Sequence, residues 1–196
     1  MQRTISAMVG KGSVNHNSRK FRAENVDGTR THLNIDYCNE NIKTVYHELF
    51  DEALERYNAK QIRSDRKIKD YYEKIRSSKQ EKPFHEIILQ VGGKGNMNAD
   101  TENGELAKQI LDEYYQGFQE RNPQLRVFSA HLHMDEATPH LHIDFVPFTT
   151  GSKRGLDTRV SLKQALATQG FKRYGVVAMD TVRKRTACGG DGTLWD

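Results

Sequence analysis

The sequence predicts an α+β fold in which a central antiparallel sheet of about five strands carries helices packed on one face. Two kinds of pattern indicate this. Several short segments alternate apolar and polar residues with the period of two of a half-buried strand, and two longer segments repeat apolar residues with the helical period. The 196 residues suit one domain with a full core, or one domain with a short appendage. The second face of the sheet is then left for a functional site.

Five segments are predicted to be strands, because apolar residues recur in them at every second position. In the second segment, Leu33, Ile35 and Tyr37 alternate with polar residues. In the third, Glu86 lies on the face opposite the main apolar residues. The predicted strands are residues 1–9, 30–38, 84–91, 127–134 and 140–148.

Two segments, residues 42–57 and 102–120, carry a continuous apolar stripe at helical spacing and are predicted to be helices packed on the sheet. Residues 59–83 indicate a thinner amphipathic helix with a mixed-charge face. Ser161 begins a capping-box pattern that predicts a short helix after it. A basic amphipathic stretch follows at residues 176–185.

The formal net charge of +4 is unevenly distributed. Residues 151–196 hold nine Lys and Arg against four Asp, so we predict a catalytic core at residues 1–150 and a basic C-terminal extension at residues 151–196. A phosphate backbone is the obvious partner for such an excess, although a solvated basic surface explains the charge equally well. The last residues carry no structural signal, which indicates the N-terminal fragment of a longer protein.

No apolar run is long enough to span a bilayer, and the N-terminus lacks a secretory pattern. The two cysteines, Cys38 and Cys188, lie far apart and show no ligand spacing. Free thiols in a reducing compartment are therefore expected. We predict a cytosolic protein without a membrane segment.

Four of the eight histidines fall within residues 131–142. On a strand, the period of two puts His140 and His142 on one face and the neighbouring apolar residues on the other. His131 and His133 share the polar side of the preceding strand in the same way. Two adjacent antiparallel strands would therefore bring three imidazoles together.

Three converging neutral imidazoles form a site for a divalent cation of borderline softness, with room left for substrate oxygens. The predicted ligands are His133, His140 and His142, with His131 held back. Asp135 and Glu136 in the intervening turn can orient a ligand histidine or complete the coordination. The alternative is a set of surface histidines with satisfied hydrogen bonds.

Two other metal-site patterns fit poorly. A helical metalloprotease motif needs two histidines one turn apart on a helix, and Pro139 immediately before His140 excludes that helix. The spacing of His131, His133 and Glu136 only loosely resembles the first motif of a cupin-type oxygenase barrel, because the Glu stands one residue early.

Residues 133–142 (HMDEATPHLH) resemble the signature of the Mob/Pre family of plasmid mobilisation relaxases, with seven of ten positions matched. These relaxases are histidine-hydrophobe-histidine (HUH) endonucleases. Two further family motifs occur in the expected order, residues 16–19 (HNSR) and residues 30–34 (RTHLN). Glu86, ahead of an apolar strand, resembles another family position. The similarity covers most of the chain from about residue 5 to residue 150 and is looser after that.

The resemblance implies an enzyme that nicks and rejoins single-stranded DNA at a plasmid or mobile-element origin of transfer, through a covalent 5′-phosphate on a histidine. His16 is then the nucleophile, and Arg19 clamps a phosphate oxygen. Glu86 accepts a proton from His16 or fixes its tautomer, and Glu136 is a further predicted catalytic residue. The alternatives are an ordinary exposed loop histidine at position 16 and a rim salt bridge at Glu86.

The expected cofactor is Mn²⁺ or Mg²⁺, although three imidazoles alone favour Zn²⁺ or Ni²⁺ on affinity. The expected partners are single-stranded or hairpin origin-of-transfer DNA and the conjugation machinery, in a bacterial cytoplasm. A metal-dependent nuclease that uses water and a DNA-binding module with a structural metal are the alternatives. The predicted DNA-binding residues are Arg19, Lys20, Arg22, Arg30, Asn34, Lys153, Arg154 and Arg159.

Overall fold

The computed structural model describes residues 4–93 and 95–171. The strands are β1 (Ile5–Val9), β2 (Ile35–Asn39), β3 (His85–Val91), β4 (Leu125–His133), β5 (His140–Thr149) and β6 (Arg159–Val160). The helices are α1 (Val14–Asn17), α2 (Ile42–Ala59), α3 (Tyr71–Arg76), α4 (Glu102–Gln116), α5 (Phe118–Arg121) and α6 (Leu162–Thr168). All strand pairs are antiparallel, in the order β1-β3-β5-β4-β2 with β6 beside the end of β5. The predicted α+β class is therefore confirmed.

The alternation of side chains along the central strand β5 defines the two faces of the sheet. Leu141 and Ile143 are fully buried and belong to one apolar cluster with residues of α4, α5 and α6. His142 and Asp144 project from the opposite face, because successive side chains of a strand point to opposite sides. We call these the core face and the site face.

Helices pack on both faces rather than on one, which corrects a detail of the predicted arrangement. Phe50 of α2 and Tyr71 of α3 form a second buried cluster with Phe128 and Val146. Val146 has the same parity as His142 on β5, so this cluster lies on the site face. Covering the apolar far end of β5 removes its surface from water. The histidines lie beyond this cluster, at the other end of the strand.

A β-bulge in β4 brings Phe128 onto the site face. Val127 pairs with Phe145 and Ser129 pairs with Asp144, so Phe128 is the extra residue between two ladder positions. Simple alternation predicts Phe128 on the core face, with Ala130 and Leu132. In the structure, Phe128 packs in the cluster with α2 on the site face. Beyond the bulge, the alternation predicted for the histidines holds.

The segment predicted as a helix over residues 59–83 folds differently, because only α3 and a short 3₁₀ turn at Ser64–Arg66 are helical. The side chain of Asn58 donates to the carbonyl of Ile68 (2.8 Å) and accepts from its N–H (2.9 Å), which closes the intervening residues into a loop. Asp70 then caps α3 by accepting from the N–H of Glu73. The mixed charges of this segment therefore belong mainly to an exposed loop.

Two other predicted elements have different bounds. The helix predicted at residues 102–120 is divided at Gly117 into α4 and α5. The strand predicted from residue 30 begins at Ile35, because Thr31–Leu33 forms a 3₁₀ turn. Ser161 caps α6 by accepting from the N–H of Gln164, as its pattern predicts. None of the helices in the described ranges is long and apolar enough to cross a membrane.

Residues 151–171 contribute β6 and α6, and α6 packs Ala165 and Leu166 into the core cluster. The division of the chain at residue 150 stays a prediction. The amphipathic stretch at residues 176–185 and Cys188 lie outside the described residues, and Cys38 is a free thiol.

Candidate active site

The register between β4 and β5 places the histidines. His133 pairs directly with His140, and His131 pairs with His142. Directly paired residues project from the same face, so these side chains share one patch of the site face. One nitrogen each from His133, His140 and His142 lies within 4.8 Å of the other two, and Nδ1 of His133 is 3.4 Å from Nε2 of His140.

Each of the three rings is held through its other nitrogen. Nε2–H of His133 donates to the main-chain carbonyl of Asn17 (2.8 Å), and Nδ1–H of His140 donates to the carbonyl of Thr138 (2.9 Å). Nδ1–H of His142 donates to Glu86 (2.6 Å). These acceptors fix the tautomers and leave Nδ1 of His133 and Nε2 of His140 and His142 unprotonated, each with a lone pair that can coordinate a cation. Nε2 of His142 is buried without a hydrogen-bond partner among the described residues.

The electrostatics favour neutral rings in this cluster. Burial, followed by the neighbouring His142 and His140, lowers the pKa of His133 to about 2. Burial also lowers the pKa of His140. Neutral imidazoles with converging lone pairs and oriented N–H groups are what a divalent-cation site requires. The residues present therefore fit a divalent cation, and the three predicted ligands are brought together.

Glu86 contacts a candidate ligand, His142, and its expected role towards His16 stays a prediction. One oxygen accepts from Nδ1 of His142 (2.6 Å) and from the side-chain amide of Asn17 (2.7 Å), and the other accepts from the N–H of Gly12 (2.7 Å). Burial acts to raise the pKa of Glu86, but these hydrogen bonds lower it below its ordinary value. An ionised Glu86 fixes the orientation of the His142 ring.

Asp144 is a site residue that the sequence analysis missed. It is the direct cross-strand partner of Glu86 and is fully buried. It accepts from Asn17 (3.1 Å) and from Ser129 (3.0 Å). Burial and the nearby charge of Glu86 raise the pKa of Asp144 to about 6. The sequence could have identified Asp144, because alternation along β5 places residues 140, 142 and 144 on the same face.

His16 lies beside the histidine cluster, as the motif order predicts. Its ring centroid is 6.2 Å from that of His133 and 6.3 Å from that of His142. Nε2 of His16 is 3.3 Å from Nη1 of Arg19 and 3.5 Å from a carboxylate oxygen of Glu136. Glu136, not Glu86, is therefore the carboxylate beside the predicted nucleophile.

Arg19 is engaged by protein carboxylates, and its expected role as a clamp on a phosphate oxygen stays a prediction. It has a left-handed backbone, with φ of 54°, and its guanidinium binds both oxygens of Asp135 (3.0 and 2.5 Å). Nη2 also donates to Glu136 (2.9 Å). Only Nη1 faces His16. Asp135 thus anchors Arg19, and Arg19 in turn borders the His16 ring.

Two predicted DNA-binding residues brace the turn between β4 and β5 instead. Asn34 donates to Asp135 (2.8 Å) and accepts from the N–H of Met134 (2.7 Å), so both ends of its amide are used. Arg30 donates to Asp27 (3.0 Å) and to the carbonyl of Glu136 (3.1 Å). These contacts fix the turn that carries Glu136, and the contact of either residue with DNA stays a prediction.

The other predicted DNA-binding residues remain predictions. Lys20 and Arg22 are exposed after α1, and Lys153 and Arg154 are exposed before β6. Arg159 is half-buried and donates to the side chain of Gln164 (3.2 Å). A shallow cleft of about 720 Å³ is lined in part by Lys153, Arg154 and Arg159.

His131, which was not among the predicted ligands, lies outside the group formed by His133, His140 and His142. Its Nδ1 is 2.6 Å from Asp36, and its ring lies 6.3 Å from that of His133. Among the described residues, the groups that could hold a metal contain His133, His140 and His142, or His133 with Asp135 and Glu136.

The chain matches a known family model and is similar in sequence to several curated proteins. A family model described as "Plasmid recombination enzyme" (Mob_Pre) matches residues 12–174. A plasmid recombination enzyme type 3 of Staphylococcus aureus is 28% identical over 157 residues, which cover 78% of this chain and 33% of the relative. A type 2 enzyme of Staphylococcus aureus strain Mu50 is 27% identical over 158 residues, covering 79% and 33%. The chain thus spans about a third of the length of these curated relatives.

Among solved structures, the MobM relaxase domain (MOBV; Mob_Pre) bound to plasmid pMV158 oriT DNA, in a Mn-bound crystal at pH 5.5, is 19% identical. The similarity covers 91% of this chain and 99% of that one, with a TM-score of 0.48. The family model, which spans most of the chain, shows that the protein belongs to the Mob_Pre family of plasmid recombination enzymes.

Proposed function

We propose that this domain nicks and rejoins one DNA strand at a specific site, the origin of transfer of a plasmid or mobile element. The reaction passes through a covalent 5′-phosphate on His16. The observation that carries the proposal is the position of His16, with its ring within 6.3 Å of the rings of two candidate metal ligands. Membership of a family of plasmid recombination enzymes supports it.

His133, His140 and His142 would hold a divalent cation, which supplies Lewis-acid activation of the scissile phosphate when it is bound. Mn²⁺ or Mg²⁺ is our proposal for the working ion. Three imidazoles alone favour Zn²⁺ or Ni²⁺, so the choice of ion is itself a point for measurement.

The residues of the chain then share the chemical step. A lone pair on the imidazole of His16 forms the P–N bond, and the bond between phosphorus and the 3′-oxygen breaks. Glu136, 3.5 Å from Nε2, accepts the ring proton of His16. The same proton, passed on through solvent, protonates the 3′-oxygen, which leaves as a hydroxyl. Arg19, held by Asp135, keeps the His16 ring in place. The reverse sequence rejoins the strand, because the P–N bond conserves the energy of the broken ester.

The test is incubation of the protein with a labelled single-stranded origin-of-transfer oligonucleotide and Mn²⁺, followed by a denaturing gel. We expect a band of a protein-DNA adduct that His16→Ala abolishes. His47→Ala is the matched control, because His47 is exposed on α2 and forms an ion pair with Asp51, away from the candidate site. It should leave the adduct unchanged.

The same gel separates the two alternatives. A nuclease that uses water would cut the oligonucleotide without forming an adduct, and His16→Ala would leave cutting intact. A DNA-binding module with a structural metal would give neither product. Either result would overturn the covalent mechanism.

A further inference from the structure

We propose that Asn17 is a positioning residue that couples the nucleophile loop, residues 10–22, to the metal centre. Cation binding then orders the loop that carries His16, and the ordered loop in turn tightens cation binding. This inference rests on the function proposed above, because it assumes that His133, His140 and His142 bind a divalent cation.

Asn17 is 1% exposed and makes contacts in two directions. Its main-chain carbonyl accepts from Nε2–H of His133 (2.8 Å). Its side-chain amide donates to Glu86 (2.7 Å) and to Asp144 (3.1 Å). One residue of the nucleophile loop therefore reaches a candidate ligand directly and a second candidate ligand, His142, through Glu86.

The loop has few other means of holding its shape. Its helix α1 is a single turn of four residues, and an isolated turn is unstable because helix nucleation is unfavourable. Ser13 and Asn15 are exposed. The loop is anchored by Asn17, by the ion pair of Arg19 with Asp135, by the N–H groups of Gly10 and Gly12 on Glu86, and by Val14, which packs against the second cluster.

The amide of Asn17 also has an electrostatic task. Glu86 and Asp144 are direct cross-strand neighbours, and like charges in that arrangement repel. A shared donor between the two carboxylates offsets that repulsion and keeps Glu86 on His142. Removing the donor frees Glu86 to move away from the His142 ring.

Coordination at Nδ1 of His133 would make its Nε2–H a stronger donor, which strengthens the bond to the carbonyl of Asn17. A coupling of this kind is reciprocal. The free energy by which cation binding stabilises the ordered loop equals the free energy by which the ordered loop strengthens cation binding. The prediction is therefore measurable from both sides.

The first experiment measures Mn²⁺ affinity by calorimetry for the wild type, Asn17→Ala and Asn15→Ala. Asn15 is the matched control, because it is the same residue type in the same turn and is exposed. We expect Asn17→Ala to weaken binding roughly 10-fold or more, as loss of a residue that orients ligands commonly does. Asn15→Ala should match the wild type.

The second experiment follows amide hydrogen exchange of residues 13–19 with and without Mn²⁺. The wild type should show protection on Mn²⁺ addition, Asn15→Ala should keep that protection, and Asn17→Ala should lose it. If Asn17→Ala fails to fold, Asn17→Ser decides the question, because it keeps a small polar side chain but lacks the amide that reaches both Glu86 and Asp144, and it should also lose the protection.

The outcomes distinguish the two proposals. A wild type that binds no divalent cation and forms no adduct would overturn the proposed function. A wild type that binds Mn²⁺ and forms the adduct, with Asn17→Ala equal to Asn15→Ala in affinity and exchange, would overturn the coupling alone. Absence of Mn²⁺-dependent protection in the wild type, with Mn²⁺ bound, would do the same.

Discussion

Asp135 joins the nucleophile loop to the turn between β4 and β5, and its side chain is fully buried. Burial acts to raise its pKa, but hydrogen bonds from Arg19, Asn34 and Thr31 lower it to about 2. A carboxyl group whose pKa is lower in the folded chain stabilises the fold above its unfolded pKa, and that stability is lost as the pH falls through the folded pKa. The window for Asp135 runs from about pH 4 down to about pH 2.

We predict that Asp135→Asn lowers the free energy of unfolding at pH 7 by about 3 kcal/mol, because Arg19 loses its buried counter-charge. Urea denaturation at pH 7 and pH 3 measures the effect, which should shrink at the lower pH. Asp51→Asn is the control, since its ion pair with His47 is exposed and should contribute little. Equal losses for the two variants would contradict the buried ion pair.

The three candidate ligands could be predicted from the sequence, since strand periodicity alone puts His140 and His142 on one face. The contacts of Glu86 with His142 and Asp144 could not be predicted from the sequence. Parity places Glu86 on the site face, but only the register of β3 against β5 sets it beside Asp144 and within reach of His142. Similarly, no local pattern shows that the side chain of Arg19 turns towards Asp135, because that contact spans 116 positions.

At the scale of elements, the junction between β1 and α1 depends on close approach to β3. The N–H of Gly10 donates to the carbonyl of Glu86 (3.1 Å). A Cβ at Gly10 would overlap the Glu86 carboxylate. The end of β1 therefore requires a glycine for Glu86 to keep its place on His142.

We predict that Gly10→Ala displaces the carboxylate of Glu86 and weakens Mn²⁺ binding roughly 10-fold, because an oriented ligand loses its support. Calorimetric titration with Mn²⁺ measures the change. Gly93→Ala serves as control, since Gly93 also follows a strand and a Cβ there meets nothing within 4 Å. An affinity for Gly10→Ala equal to that of the control would show that Glu86 does not support the site.

Elements with a strong repeat, such as α2, α4 and β5, could be predicted from the sequence, and those decided by tertiary contacts could not. The apolar stripe of α2 is continuous, whereas residues 59–83 have helical spacing in a chain too polar to be buried. There, the bonds of Asn58 to Ile68 select a loop. The bulge at Phe128 was equally hidden, because it arises from strand pairing and from the demand of the cluster with α2.

For the molecule as a whole, the sheet is supported from both sides, by α4, α5 and α6 on the core face and by α2 and α3 at one end of the site face. The candidate ligands lie on the two neighbouring strands β4 and β5. A cation bound to these residues would therefore link two central strands of the sheet. A ligand that binds the folded state and not the unfolded state stabilises the folded state.

We predict that Mn²⁺ raises the Tm of the protein and that a chelator reverses the rise. At a concentration 100 times the Kd, the gain is about 2.7 kcal/mol for a single site. Scanning calorimetry with His140→Ala should show no such rise, while His47→Ala should retain it. An equal rise in both variants would place the cation elsewhere.

Because Phe128 is an additional residue, the alternation of side chains between the two faces of the sheet shifts by one position at the bulge in β4. Leu125 and Val127 follow the first phase towards the core face, while Ser129 and the histidines follow the second towards the site face. We therefore expect substitutions in the half of β4 before the bulge to have little effect on the candidate metal ligands. Residues of β4 before the bulge can change while the histidines after the bulge keep their pairing with β5.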